Sequence, residues 1–571
     1  MRSPFFAALT LIFVACAGGT MNQSLPSAGS PAAPDLLRID GGTIYTGHDV
    51  LHDRSVIVRG DRIEAVVSPE EAAAKWPAAR VIDARDMTVL PGLTDAHVHV
   101  MGLGEALANV DLVGTESFDQ VVQRVSERAP STPKTEWILG RGWDQNDWAE
   151  KRFPTASQLD AATTTHPVWL RRVDGHAGVA NTAALLAAGI TAETKDPEGG
   201  KIIRDANGHP TGVFVDNAMA LVDRIIPPPS RATRKSRLEN ALHDIARNGL
   251  VEVHDAGVDQ ETIDLYRELI DEGRMPIRVY AMVSDQELPG GEWLEDRWFA
   301  KGPLIDYGGR LTVRSVKMYA DGALGSRGAA LLAPYDDDPD NTGLLTTTPE
   351  HILDVARRAR AAGFQVNTHA IGDRGNRRTI EAYEEAGVTP ADRFRIEHLQ
   401  VIALEDLPRV AARGIIASMQ PTHATSDMEW AETRIGKERI KGAYAWRKVL
   451  DHGIPLAFGS DFPVEAVNPF FGIHAAVTRQ DQKGWPAGGW HPEERLTLRE
   501  AIDAFTQGAA FASFQEKSRG TIEPGKLADF TIVDGDLFQR DPSTLFSTKV
   551  EETIVGGRAV YQARAATMSS K

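Results

Sequence analysis

At 571 residues the chain is too long for one ordinary core, so a large barrel with an accessory unit, or two to three domains, is the natural expectation. A hydrophobic fraction of 42% with 25% charged residues excludes both a disordered chain and a polytopic membrane protein. The formal net charge of -17 repels phosphate backbones, so nucleic acid is not an expected partner.

The N-terminus departs from this soluble pattern. Arg2 gives a short positive segment, and Phe5 to Cys16 form an apolar run of twelve residues, too short for a helix across a bilayer core of ~30 Å. Residues 1–15 therefore read as an export signal. The segment Phe13-Val14-Ala15-Cys16-Ala17 is similar to a bacterial lipobox, with Phe13 where Leu is usual. Cys16 is then the expected lipidated N-terminus of a membrane-anchored, extracytoplasmic protein, and Ala17 after it suggests the outer membrane. An ordinary cleaved signal or a buried N-terminal helix is the alternative. Cys16 is the sole cysteine, so the mature domain has no disulfide and no thiol ligand for a metal. Residues 16–36, rich in Gly, Ser, Pro and Ala, form a flexible tether.

Residues 37–87 carry short strand patterns such as Ser55-Val56-Ile57-Val58 between Gly and Asp turns, and residues 519–564 carry matching ones such as Phe530-Thr531-Ile532-Val533. The two ends are expected to form one small β-sandwich. Between them, over 88–518, apolar runs alternate with helical stretches as repeated βα units do. Eight strands are predicted, near Val89–Val100, Leu250–Val258, Ile277–Val283, Leu311–Ala320, Phe364–His369, Phe394–Leu399, Ile415–Gln420 and Ile454–Gly459. That number fits a (β/α)8 barrel of the TIM type, which puts its chemistry at the strand C-termini. The 149 residues 101–249 between the first two strands greatly exceed a normal βα connection and read as an inserted subdomain.

Asp95-Ala96-His97-Val98-His99 ends the first strand, where side chains two apart share a side. His369 ends the fifth strand, His398 ends the sixth, and Asp461 follows the eighth in Gly459-Ser460-Asp461-Phe462-Pro463. Four histidines and an aspartate from four strand ends thus meet on one rim, a set suited to zinc or another borderline divalent ion, one or two per chain. A carboxylate there can accept a proton from metal-bound water and later deliver it to a leaving group. Asp461 is the candidate for that role, with a purely structural ligand or a loop cap as the alternative.

On the fourth strand stands Lys317-Met318-Tyr319-Ala320-Asp321-Gly322, with Leu90-Pro91-Gly92-Leu93-Thr94-Asp95 before it and Gly520-Thr521-Ile522-Glu523-Pro524-Gly525-Lys526-Leu527-Ala528-Asp529 near the end. In this combination the chain resembles the amidohydrolase superfamily, in the branch of the N-substituted formamide deformylases, from Leu37 to about Arg564. The resemblance implies a hydrolase of non-peptide carbon-nitrogen bonds with a small-molecule amide as substrate. It also implies that Lys317 is N-carboxylated and bridges two metals, with His97 and His99 on one side and His369 and His398 on the other. By charge alone an unmodified lysine would be repelled by metal, and it would instead pair with Asp321 or Asp461.

Four further residues are substrate-binding candidates. Trp143 and His176 lie in insertion segments that resemble family segments near the active site, His254 lies toward the end of strand two, and Asp321 follows strand four. For Trp143 and His254 an ordinary core position is the competing explanation. The same scaffold also supports deamination and ester or lactone hydrolysis, and a non-catalytic metal-binding lipoprotein is the reading from a different class.

Overall fold

The computed structural model describes residues 36–563 apart from 146–147, 173–176 and 198–199. The export signal, Cys16 and nearly all of the tether lie outside the described residues, as does His176. Among the described residues no helix is long and apolar enough to cross a membrane.

Eight parallel strands make the central sheet: β1 (Leu93–Val98), β2 (Leu250–Val258), β3 (Arg278–Ser284), β4 (Leu311–Tyr319), β5 (Gln365–Ala370), β6 (Arg395–His398), β7 (Ile416–Met419) and β8 (Leu456–Phe458). A parallel sheet wrapped by helices is covered on both faces, so its strands are continuous apolar runs rather than alternating ones. Every residue of β1, β6, β7 and β8 is accordingly buried. Neighbours pair in chain order from β1 to β8. The segment after β8 brings the last strand back to the first: the Asp461 N–H donates to the His97 carbonyl at 2.8 Å and the His99 N–H to the Phe462 carbonyl at 2.9 Å. The α/β barrel of the TIM type expected from the sequence is present.

The chain ends share one seven-stranded sheet. Four strands come from the N-terminal side (Leu36–Tyr45, Val50–Arg59, Arg62–Val67, Arg80–Pro91) and three from the C-terminal side (Phe530–Asp534, Val550–Val555, Arg558–Gln562). They join where Arg80–Pro91 runs antiparallel to Phe530–Asp534. Ile39, Val56, Phe530 and Ile532 fill a common core, and the Asp61–Ile63 hairpin bonds back to residues 526–528, so the sandwich is a single sheet folded over itself.

Two boundaries differ from expectation. The apolar run Val89–Val100 is not one strand, because Val89–Pro91 completes the terminal sheet and the barrel begins at Leu93. Gly92 permits the switch, since a Cβ there would lie 2.4 Å from Val251 Cγ2. The inserted unit is also shorter than 101–249. Its six-stranded sheet runs from Val110–Asp111 to Pro210–Asp216 around cores of its own, whereas helix Arg231–Arg247 sends Leu238, Ala241, Leu242 and Ile245 into the barrel core. That spacing is one face of a helix, and the helix belongs to the first βα unit.

Candidate metal centre

The end of β1 is clamped before it presents any ligand. Asp95 is fully buried and accepts from the Ser460 N–H at 3.0 Å, the Ser460 hydroxyl at 2.6 Å and the His97 N–H at 3.2 Å, tying β1 to the segment that carries Asp461. Gly459 lets the two backbones approach, for a Cβ there would meet Asp95 Oδ1 and His97 N at 2.6 Å. Asp461 (φ 63) and His398 (φ 75) both adopt the left-handed region, uncommon for residues with a Cβ and often found where surrounding contacts hold a functional group.

The imidazoles cluster tightly, with ring centroids 5.6 Å apart for His97 and His99, 4.8 Å for His97 and His398, and 4.6 Å for His369 and His398. Partners fix the tautomers of three. His97 Nδ1–H donates to Glu397 at 2.5 Å, His99 Nδ1–H to the Ala256 carbonyl at 3.0 Å, and His398 Nδ1–H to Gln420 Oε1 at 2.7 Å. Each assignment makes Nε2 the lone-pair nitrogen, as a hydrogen bond behind the ring does for metal-ligating histidines, and the lone pair of His97 faces Lys317 Nζ. Burial, reinforced by Lys317, pushes His369 down to about 3, and burial holds His97 and His398 well below the usual imidazole range, so these rings are neutral donors. The Nε2 of His369 is buried with no hydrogen-bond partner.

Asp461 sits among them, its Oδ1 3.1 Å from His99 Nε2 and 3.6 Å from His97 Nε2. Burial opposes ionisation of this carboxyl, but the facing imidazoles of His99, His97, His398 and His423 outweigh it and hold Asp461 well below the usual carboxylate range. His97, His99 and Asp461 place ligand atoms within 4.8 Å of one another, and so do His398, His423 and Asp461. One carboxylate therefore serves two adjoining donor sets. The buried, nitrogen-rich donors with free lone pairs fit a divalent cation of the zinc type.

Lys317 is buried on β4 with Nζ 3.0 Å from His97 Nε2. It makes no hydrogen bond to Asp321 or Asp461, and burial lowers it to about 8. Asp321 instead accepts from the backbone N–H groups of Ala330, Ile371 and Gly372, which fixes the loop after β4 against the end of β5. Its Oδ1 also lies 3.8 Å from His369 Nε2.

Two other sequence candidates lie away from the mouth. His254 is fully enclosed, and its Nδ1 accepts from Arg395 at 3.0 Å, one layer beneath Glu397 on the same strand. Trp143 is fully buried in the insertion, where its indole N–H donates to the Leu170 carbonyl and its ring stacks on Trp148. Sequence reasoning missed Glu397, Gln420 and His423. His423 Nε2 lies 3.7 Å from Asp461 Oδ2, and its ring stacks on His398 at 6.0 Å. The available signal was Gln420-Pro421-Thr422-His423 directly after the seventh strand.

Comparison with known proteins gives the family. Residues 80–561 match the amidohydrolase family, and residues 40–79 match the NagA composite domain. The chain is 34% identical over 539 residues to a Bacillus subtilis protein named as amidohydrolase YtcJ, covering 91% of this chain and 98% of that protein. It is 29% identical over 538 residues to the N-substituted formamide deformylase of Arthrobacter pascens, covering 89% of this chain and 95% of the deformylase. The crystal structure of an uncharacterized metal-dependent hydrolase from Pyrococcus furiosus superposes with a TM-score of 0.73 at 29% identity, covering 89% of this chain and 100% of that one.

Proposed function

The chain belongs to the amidohydrolase family as a metal-dependent hydrolase of carbon-nitrogen bonds, and from that premise we propose that its substrates are small non-peptide amides, N-formyl or N-acyl amines foremost. The observation that carries the reading is the convergence of four imidazoles on the Asp461 carboxylate. The relative named for N-substituted formamide deformylation favours the N-formyl class. His97, His99, His369 and His398, with Asp461, would hold one or two divalent ions, zinc matching the donors best.

A bound divalent ion supplies Lewis acidity, making water acidic enough to attack near neutral pH and drawing charge from an amide oxygen. Asp461 takes the proton of the attacking water at a carboxylate oxygen and passes it to the departing nitrogen, which leaves as an amine. Glu397 holds His97 with Nε2 toward the centre. Lys317 would act as a carbamate: its neutral amine attacks carbon dioxide, an Nζ–C bond forms as one C=O π bond opens onto oxygen, an N–H proton passes to solvent, and the resulting carboxylate oxygens would serve as ligand atoms beside His97. Tyr319, 39% exposed with its ring 4.9 Å from Lys317 Nζ, offers an apolar wall for the nitrogen substituent.

The test uses zinc-reconstituted protein with N-formyl amines, N-acyl amines, N-acyl amino acids and cyclic amides. Release of formate or another carboxylate, abolished by chelation and restored by zinc, is the expected result. Turnover of none of these at full zinc content, or turnover confined to esters, lactones or deamination substrates, overturns the assignment.

A further inference from the structure

A second cluster of metal-type ligands lies outside the barrel. Asp285 directly follows β3, on the opposite side of that strand from Tyr280, whose ring packs against His254 in the barrel interior. The chain then loops out and returns, the Leu294 N–H donating to the Gln286 carbonyl at 2.9 Å, so that Glu295 at the start of helix Leu294–Lys301 comes back beside Asp285. The third member, His351, is set by the first turn of helix Pro349–Ala362, where Thr348 caps its backbone N–H. Its Nε2 lies 3.0 Å and 3.1 Å from the two Asp285 oxygens. The ligand atoms of Asp285, Glu295 and His351 all fall within 4.8 Å of one another.

Glu295 is the observation that needs an occupant. Its side chain is 0% exposed and neither carboxylate oxygen has a hydrogen-bond partner. An unpaired carboxylate in such a place is expensive, and structures normally supply a donor, a cation or a proton. The nearest basic group, Arg358, stands 4.0 Å from Glu295 Oε1 but is committed to Asp296 and Asp354. His351 is 25% exposed at its side chain, which leaves a path from solvent.

We propose that Asp285, Glu295 and His351 bind one divalent cation of the zinc or manganese type, at a structural site separate from the hydrolytic centre. Two carboxylates and an imidazole suit such ions, and two anionic ligands match the double charge. The ion would pin the end of β3 to two helices of the outer layer. Because the Asp285 N–H donates to the Lys317 carbonyl at 3.1 Å, it would also steady the strand that carries Lys317. Burial and the facing Asp285 carboxylate push Glu295 up to about 8, as expected where two acids share an uncompensated pocket.

The experiment counts zinc per chain by elemental analysis after dialysis of the full chain against buffered free zinc. Glu295→Gln and His351→Gln, which nearly preserve side-chain volume, should each bind one ion fewer than the parent and retain its kcat. His97→Ala with His369→Ala should strip the hydrolytic centre yet keep one ion, which disappears when Glu295→Gln is added. Equal zinc counts in the parent, Glu295→Gln and His351→Gln overturn the proposal, as does complete loss of zinc from His97→Ala with His369→Ala. A proton shared by the two acids would then be what neutralises the pair. Since His351 is partly exposed, His351→Gln keeps the test valid if the buried change at Glu295 disturbs folding.

Discussion

Replacing Glu397 tests whether a charge beneath the metal ligands sets their affinity. His97 and Glu397 are both completely enclosed, and the Nδ1–H to carboxylate contact is 2.5 Å. Glu397→Gln keeps the volume and one acceptor but removes the charge. A hydrogen bond to a charged group contributes about 1.5–3 kcal/mol and a neutral one about 0.5–1.5 kcal/mol. The midpoints differ by about 1.25 kcal/mol, which corresponds to roughly eightfold in zinc affinity. Glu397→Ala leaves the imidazole N–H unpaired in a closed space and the ring free to turn, which moves the loss toward the ~100-fold limit seen when the group that orients a metal-ligating histidine is removed. Burial pushes the Glu397 carboxyl upward, while the buried Arg395 guanidinium 3.9 Å away opposes it and favours the charged form. The assay is competition for zinc against a chromophoric chelator, with kcat measured at saturating zinc. Zinc binding should weaken in the order parent, Gln, Ala, with kcat largely recovered by excess metal. Parental zinc affinity in Glu397→Ala would refute the reasoning.

Asp461→Asn should lower kcat by about 10²-fold or more while zinc content falls only modestly, because the amide keeps the shape but cannot accept a proton. Near-parental turnover at full zinc would move the proton transfer to His423, which faces Asp461, since His254 is enclosed and bound to Arg395. Lys317→Ala should lose zinc and regain part of it with a short carboxylic acid, and failure of rescue together with undiminished zinc would rule out a carbamate ligand. In the stripped parent at fixed dissolved carbon dioxide, recovery of zinc uptake should quicken as pH rises through about 8 and then level: burial lowers Lys317 to about 8, and the amine is mostly unprotonated and reactive only above that value. A pH-independent recovery would contradict this. For Cys16 we propose lipidation, so Cys16→Ala should shift the protein from the membrane fraction to the soluble extracytoplasmic fraction, and unchanged membrane fractionation would defeat the anchor.

How much of this was legible in the sequence depended on how each side chain is positioned along the chain. His97, His99, His369 and His398 stand at strand ends, where a two-residue period and a barrel rule suffice to place them on one rim. The start of the barrel was less readable because Val89–Val98 is one apolar run serving two sheets, and only Gly92 marks the crossing. Trp143 misled because the insertion builds a core of its own, and a strand residue there faces Trp148 and Phe153 instead of the mouth.

His254 and His423 show why strand-end reading alone is incomplete. β2 runs on to Val258, so His254 lies four residues inside the strand and meets Arg395, not the cavity. His423 lies on a short helix, Pro421–Asp427, after its strand has ended, where a period of two no longer applies, yet the helix turns it toward Asp461. A vertical stack results, His254 on Arg395, Arg395 below Glu397 at 3.9 Å, and Glu397 on His97. Of its members only His97 reaches the rim. The histidine read as a substrate contact thus stands at the base of the stack, and it reaches His97 only through Arg395 and Glu397.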